Sequence, residues 1–112
     1  MSKPSRTPQL GEFERAVLLS VLGLGSGAYG VAVRNELEAR LERSVSLGAV
    51  YTTLDRLEEK GFVSSRHGEP TPQRGGRAKK FFTVEGAGME ALEQSRRAAD
   101  ALWAMSPLRG TR

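Results

Sequence analysis

SLGAVYTTLDRLEEKGFV, residues 46–63, is the stretch on which the fold turns. Ser46 has the hydroxyl of an N-cap, able to accept from a free backbone N–H of the next turn. Leu47, Val50, Leu54 and Leu57 then recur at 3-4-3 spacing, the buried stripe of a helix predicted over 47–60. Gly61 reads as the left-handed residue that ends it. Phe62 is placed to fold back as the hydrophobic contact that often accompanies such an end. Opposite the stripe stand Gly48, Ala49, Thr52, Arg56 and Glu59, with Tyr51 and Thr53 on the flanks. The first half of that face is small or hydroxylated, and the acids Asp55, Glu58 and Glu59 are held back to the second half. An ordinary solvated helix would carry Glu and Lys near its start as well.

Downstream, Phe62 to His67 reads as a strand and Arg77 to Val84 as another. Between and into them runs GEPTPQRGGRAKKFF (68–82), with two prolines, three glycines and the basic side chains Arg74, Arg77, Lys79 and Lys80. Two strands joined by a glycine-bearing loop make a hairpin, here with a projecting flap. Phe81 and Phe82 are adjacent, so a regular strand turns one of them outward unless it covers the first helix.

Upstream, GSGAYG (25–30) is a turn, and a second helix is predicted from Tyr29 to Glu42 on Val33, Leu37 and Leu41. The first helix starts near Gly11. Phe13, Val17, Val21 and Leu24 mark one face, but Ala16, Leu18, Leu19 and Leu22 make most of its circumference apolar. A helix greasy all round is buried on two sides, which predicts packing on a second copy through Phe13 and Leu18. A last helix begins near Glu85. Leu92, Ser95, Ala99, Leu102 and Ser106 form a heptad-like seam along it, with Trp103 and Met105 beside it. Leu92, Ala99, Leu102 and Trp103 complete the expected dimer interface.

The fold class predicted is mostly α with a small β-hairpin (α+β): a winged helix-turn-helix with a C-terminal dimerisation helix. Residues 1–9 read as a flexible arm, 10–84 as the winged helix-turn-helix, 85–106 as the dimerisation helix and 107–112 as a tail. The chain of 112 residues is one domain's worth, and a core this thin gains from a partner subunit.

The net charge is +4, and residues 66–80 hold five basic side chains against one acid. Lys3, Arg6, Arg109 and Arg112 put further positive charge at the ends, so the body between is net acidic. Focused positive charge on an acidic body points to a polyanionic partner. Cysteine is absent, which excludes disulfides and thiolate metal sites and fits the cytoplasm. MSKPSRTPQL has no apolar run of a signal peptide, and no stretch reaches the roughly 20 apolar residues of a membrane span. His67 is the only histidine, so Ser46, Ser64 and Ser65 have no other base. GRAKK lacks the GK[ST] ending of a phosphate-binding loop and runs into a strand. No enzyme, cofactor or metal is expected.

The N-terminal half of the second helix in a helix-turn-helix approaches base edges. That nominates Ser46, Gly48, Ala49, Tyr51, Thr52, Thr53 and Arg56 for double-stranded DNA. Threonine can bond base edges or phosphate and pack its methyl on thymine. Tyr51 is read equally as a border packing residue or a phosphate contact. Arg74, Arg77, Lys79 and Lys80 are the wing's phosphate contacts. Alternatives are a protein-interaction winged helix, for which acids at the start of the helix or a neutral wing would speak, and a small RNA-binding protein, for which exposed stacking aromatics would speak.

Leu10-Gly11-Glu12-Phe13-Glu14, Ala28-Tyr29-Gly30, the 46–63 segment and RGGRAKKFF (74–82) together resemble the PadR family of bacterial transcriptional regulators, in order, over about residues 10 to 90. The tail is similar to the short family branch with a single C-terminal helix. The resemblance implies a homodimer, recognition of a pseudo-palindromic operator, and repression relieved by a small molecule. Some short members are similar to sensors that hold flat aromatic compounds at the dimer interface; here Trp103, the single tryptophan on the seam, is read either as lining a pocket for a small aromatic effector or as a packing anchor of the interface. The family enters its last helix with Thr-Pro, where this chain has Glu85 and Gly86, with Gly88 kept. Loss of the cap and of the preorganised proline predicts a first turn that frays.

Overall fold

Residues 10–69 and 79–108 are described by the computed structural model. The elements are α1 (Glu12–Leu24), a 3-10 turn (Gly25–Gly27), α2 (Gly30–Leu41), α3 (Leu47–Glu59), β1 (Val63–His67), β2 (Lys80–Val84) and α4 (Gly86–Trp103). Four helices and a two-stranded antiparallel hairpin make the predicted α+β winged helix. The expected arm at 1–9 lies outside the described residues, as do 109–112 of the expected tail.

The α3 stripe behaves as its spacing dictates: Val50, Leu54 and Leu57 are fully buried. They meet Val17, Leu18 and Val21 of α1 and Val33 and Leu37 of α2, closed below by Phe62, Val63 and Phe82. Each such side chain contributes about 1.5–3 kcal/mol on leaving water. Leu18 was expected at a dimer interface, and the fold corrects this. It has no exposed surface, because it joins Val17 and Val21 on the core side of α1 and is spent within its own protomer.

Both ends of α3 are tied off by local chemistry. Ser46 Oγ accepts from the Ala49 N–H at 3.1 Å. At the other end Gly61 takes φ +80. Its N–H donates to Glu58 O, and the Phe62 N–H donates to Leu57 O, both at 2.9 Å. This paired arrangement satisfies the carbonyls that a helix end leaves over. It also turns Phe62 into the core and starts β1.

The hairpin pairs Val63 with Val84 through to His67 with Lys80. Tyr29 was read as the first turn of a helix. It is instead extended, caps α2 from outside, and forms a single bridge to Phe81, while Phe82 N–H donates to Ala28 O at 2.8 Å. One residue of strand thus docks the hairpin onto the segment between α1 and α2.

α4 begins at Gly86, close to the predicted start, but its cap is not a side chain. Glu85 N–H donates to Phe62 O at 2.8 Å, and the Glu85 carboxylate accepts from Ser64 Oγ instead of capping the helix. Gly88 is needed here, since a Cβ on it would lie 2.4 Å from Phe62 O. The helix ends at Trp103, so Ser106 falls beyond the seam predicted to include it. Among the described residues no helix is long and apolar enough to cross a membrane.

Candidate nucleic-acid interface

On the outward side of α3, Ser46, Gly48, Ala49, Thr52 and Arg56 are exposed. A side chain at Gly48 would meet only Ser46 Oγ, at 3.6 Å. Packing therefore does not demand glycine there, and its effect is to leave the backbone of the first turn open to approach. Thr53, nominated with these residues, is corrected: it is 4% exposed. Val50, Thr53, Leu54 and Leu57 fall at i, i+3, i+4 and i+7, so Thr53 belongs to the buried stripe.

Tyr51, at 44% exposure, sits on the border as expected, and the reason is Gly30. A Cβ at Gly30 would lie 2.3 Å from Tyr51 Cε1, so the ring lies directly on the backbone that opens α2. The residue before, Tyr29, stacks edge-on against Phe81 with centroids 5.5 Å apart. Two cations cap this pair: Lys79 Nζ lies 4.9 Å from the Tyr29 centroid, and Arg66 Cζ lies 4.8 Å from the Phe81 centroid. Tyr51, lying over the buried Gly30, and the neighbouring Tyr29–Phe81 pair thus link the first turns of α3 to the root of the wing. No side-chain hydrogen bond caps the N-terminus of α2, where the Tyr51 ring covers the buried Gly30.

The wing residues divide. Lys79 is exposed and keeps its charge over Tyr29. Lys80 faces Glu58, with Nζ 3.6 Å from Oε1. Arg74 and Arg77 lie outside the described residues. Arg66 was not nominated from sequence. Its signal was its register opposite Phe81, visible only once the strands are paired.

A second surface is apolar. Leu19 and Leu22 on α1 and Met89 on α4 are 51%, 43% and 47% exposed. With Arg15, Leu92 and Ala99 they border a cleft of about 510 Å³. Leu92 and Ala99 are half-buried at its edge, while Phe13 is half-buried against the protomer's own core. Leu102 and Trp103, exposed at 67% and 58%, line an adjoining cleft of about 590 Å³ with Leu10 and Ala98, which shares Arg15 and Ala99 with the first. Leu19, Leu22 and Met89 were not singled out from the sequence; for the two leucines, a helix apolar all round does not reveal which flank is outside until its neighbours are placed. Among the described residues no group of three or more His, Cys, Asp or Glu could hold a metal ion.

Comparison with known proteins agrees with this geometry. The model of the transcriptional regulator PadR-like family matches residues 18–94. A PadR-like transcription factor from Bacteroides fragilis superposes with TM-score 0.71 at 20% identity, over 83% of this chain and 84% of that one. A PadR family regulator from Clostridium difficile gives TM-score 0.61 at 22% identity, over 83% and 96%. Bacillus subtilis PadR in complex with operator DNA gives TM-score 0.63 at 21% identity, over 75% of this chain and 46% of that one. No curated protein matches the sequence.

Proposed function

Because this chain belongs to the PadR-like family of transcriptional regulators, whose members are not enzymes, we propose that it is a cytoplasmic, homodimeric repressor reading a pseudo-palindromic operator. The carrying observation is that the exposed start of α3, with Tyr51 packed over Gly30, adjoins the Tyr29–Phe81 pair and its two cations, Lys79 and Arg66. Ser46, Gly48, Ala49, Thr52 and Arg56 enter the major groove, where small side chains admit the backbone and Thr52 and Arg56 bond base edges or phosphate. Tyr51 meets the flanking phosphate. Arg66 and Lys79, with Arg74 and Arg77 of the wing expected from the sequence, neutralise further phosphates. A PadR of similar fold is bound to operator DNA, which supports duplex DNA as the partner.

Residues 10–84 form the DNA-reading unit in this proposal, and 85–106 the dimerisation helix. The apolar face of Leu19, Leu22, Met89, Leu92 and Ala99 meets its counterpart in a second copy, where a monomer would leave a contiguous patch in water. Leu102 and Trp103 border the end of that face, and the cleft beside them takes a small aromatic effector that relieves repression.

Selection of bound duplexes from random DNA tests the proposal as a whole. A pseudo-palindrome with half-sites about one helical turn apart supports it. Preference for single-stranded RNA in competition, or recovery of no duplex at all, overturns it.

A further inference from the structure

Lys79 and Lys80 are neighbours in the chain, yet their charges go to different places. Lys79 lies over the Tyr29 ring, a contact that leaves its positive charge whole. Lys80 Nζ lies 3.6 Å from Glu58 Oε1, and Glu58 Oε2 accepts from Ser65 Oγ at 2.7 Å. From the last turn of α3, Glu58 thus touches both strands, β1 through Ser65 and β2 through Lys80.

Strand alternation explains the split. Ser65 is opposite Phe82 in register, and Lys80, two residues from Phe82, shares that face. Phe82 is buried, so this face turns to the core and the end of α3. Arg66, Phe81 and Lys79 occupy the other face, with Tyr29. The side chains of Lys80 and Glu58 are 40% and 36% exposed, so the pair is too well solvated to stabilise the fold much. Its effect is on charge: a carboxylate stands beside one of the wing's cations and offsets it.

Resting on the DNA-binding reading above, the geometry points to Glu58 as a regulator of wing charge that withholds Lys80 from phosphate. A phosphate contact adds affinity without adding sequence information. Holding one back lowers the sequence-independent grip of the wing while the α3 face still reads bases. Among the acids kept to the second half of α3, Glu58 therefore has a use beyond solvation: it is a positioning residue that acts through Lys80.

The test is retention of a random-sequence duplex across salt by the unmodified chain, Glu58→Gln, Lys80→Gln and the double variant. Glutamine keeps an oxygen for Ser65 and discards the charge. Glu58→Gln is expected to steepen the log–log salt slope by about 0.9, the increment for one phosphate, and to tighten binding several-fold at low salt. Lys80→Gln alone is expected to leave the slope unchanged, and the double variant to return to the starting slope. A slope made shallower by about 0.9 in Lys80→Gln alone overturns the inference, because Lys80 then already rests on phosphate. An unchanged slope in folded Glu58→Gln overturns it equally. Thermal melting checks each variant; if Glu58→Gln does not fold, Lys80→Gln decides. Failure of the unmodified chain to hold any duplex defeats the DNA reading itself, and this inference with it.

Discussion

Lys60 Nζ donates to both carboxylate oxygens of Glu14, at 3.0 and 2.8 Å, so the end of α3 is fastened to the start of α1. Glu14 Oε1 also accepts from the Gly11 N–H at 2.9 Å. One carboxylate therefore caps α1 and fixes α3, with side-chain exposure of only 11%.

The first prediction concerns acid. Burial resists ionisation of Glu14, but the Lys60 hydrogen bonds, the Gly11 N–H and the charges of Lys60 and Arg56 outweigh it and hold its pKa below the ordinary value of 4.5. A carboxyl whose folded-state pKa is depressed adds stability above its unfolded-state pKa and loses it as pH falls through the folded-state value. Glu14→Gln is expected to cost about 1.5–3 kcal/mol at neutral pH, the usual range for hydrogen bonds to a charged group. The gap in Tm between variant and unmodified chain should close progressively below about pH 4.5. A gap independent of pH contradicts this account of Glu14.

The second contrasts two adjacent threonines. Thr52 is exposed and Thr53 is buried. Thr52→Ala should leave melting within about 0.5 kcal/mol, as at exposed sites generally, while relaxing preference at one operator position by up to about 1–3 kcal/mol. Thr53→Ala should lower stability and leave the preferred operator unchanged. Selection profiles and melting curves for both variants check the contrast; interchange of the two outcomes would mean that α3 is rotated from the orientation described.

The third concerns close approach. Gly88→Ala drives a methyl to 2.4 Å from the Phe62 carbonyl oxygen, a rigid backbone atom. Overpacking of this kind costs about 1–3 kcal/mol, and urea denaturation should register it. Gly30→Ala meets the Tyr51 ring instead, which can swing away. That variant should lose more duplex affinity than stability. Equal losses in both would show that Tyr51 only packs.

The fourth addresses assembly. Leu19→Glu and Leu22→Glu place charge on exposed positions of α1, so an isolated protomer tolerates them. Sedimentation is expected to show a dimer for the unmodified chain and a folded monomer for the double variant. A dimer that persists removes the α1–α4 face from the interface.

Much of this was legible in the sequence because local physics dictated it. The 3-4-3 stripe of α3, the Ser46 cap and the Gly61 end depend on residues within one or two turns of each other. What escaped depended on tertiary placement. Leu18 and Leu19 are neighbours in an apolar helix, and only the position of α3 decides which one is inside. Tyr29 is set by its bridge to Phe81, more than fifty residues away in sequence, against a helical pattern that begins at its doorstep. Lys80 reads as one more wing cation until strand register brings it to Glu58. The role of Gly88 follows from the Phe62 carbonyl, which no periodicity announces.

The central claim is that the α3 face and the wing root grip one duplex together. Hydroxyl-radical footprinting on a selected operator tests this most directly, comparing the unmodified chain with an Arg66→Ala, Lys79→Ala double variant. The account predicts two protected backbone segments per half-site, one beside the major groove read by α3 and one flanking it, with the flanking segment alone lost in the double variant. A single segment, or a flank that stays protected without Arg66 and Lys79, contradicts it.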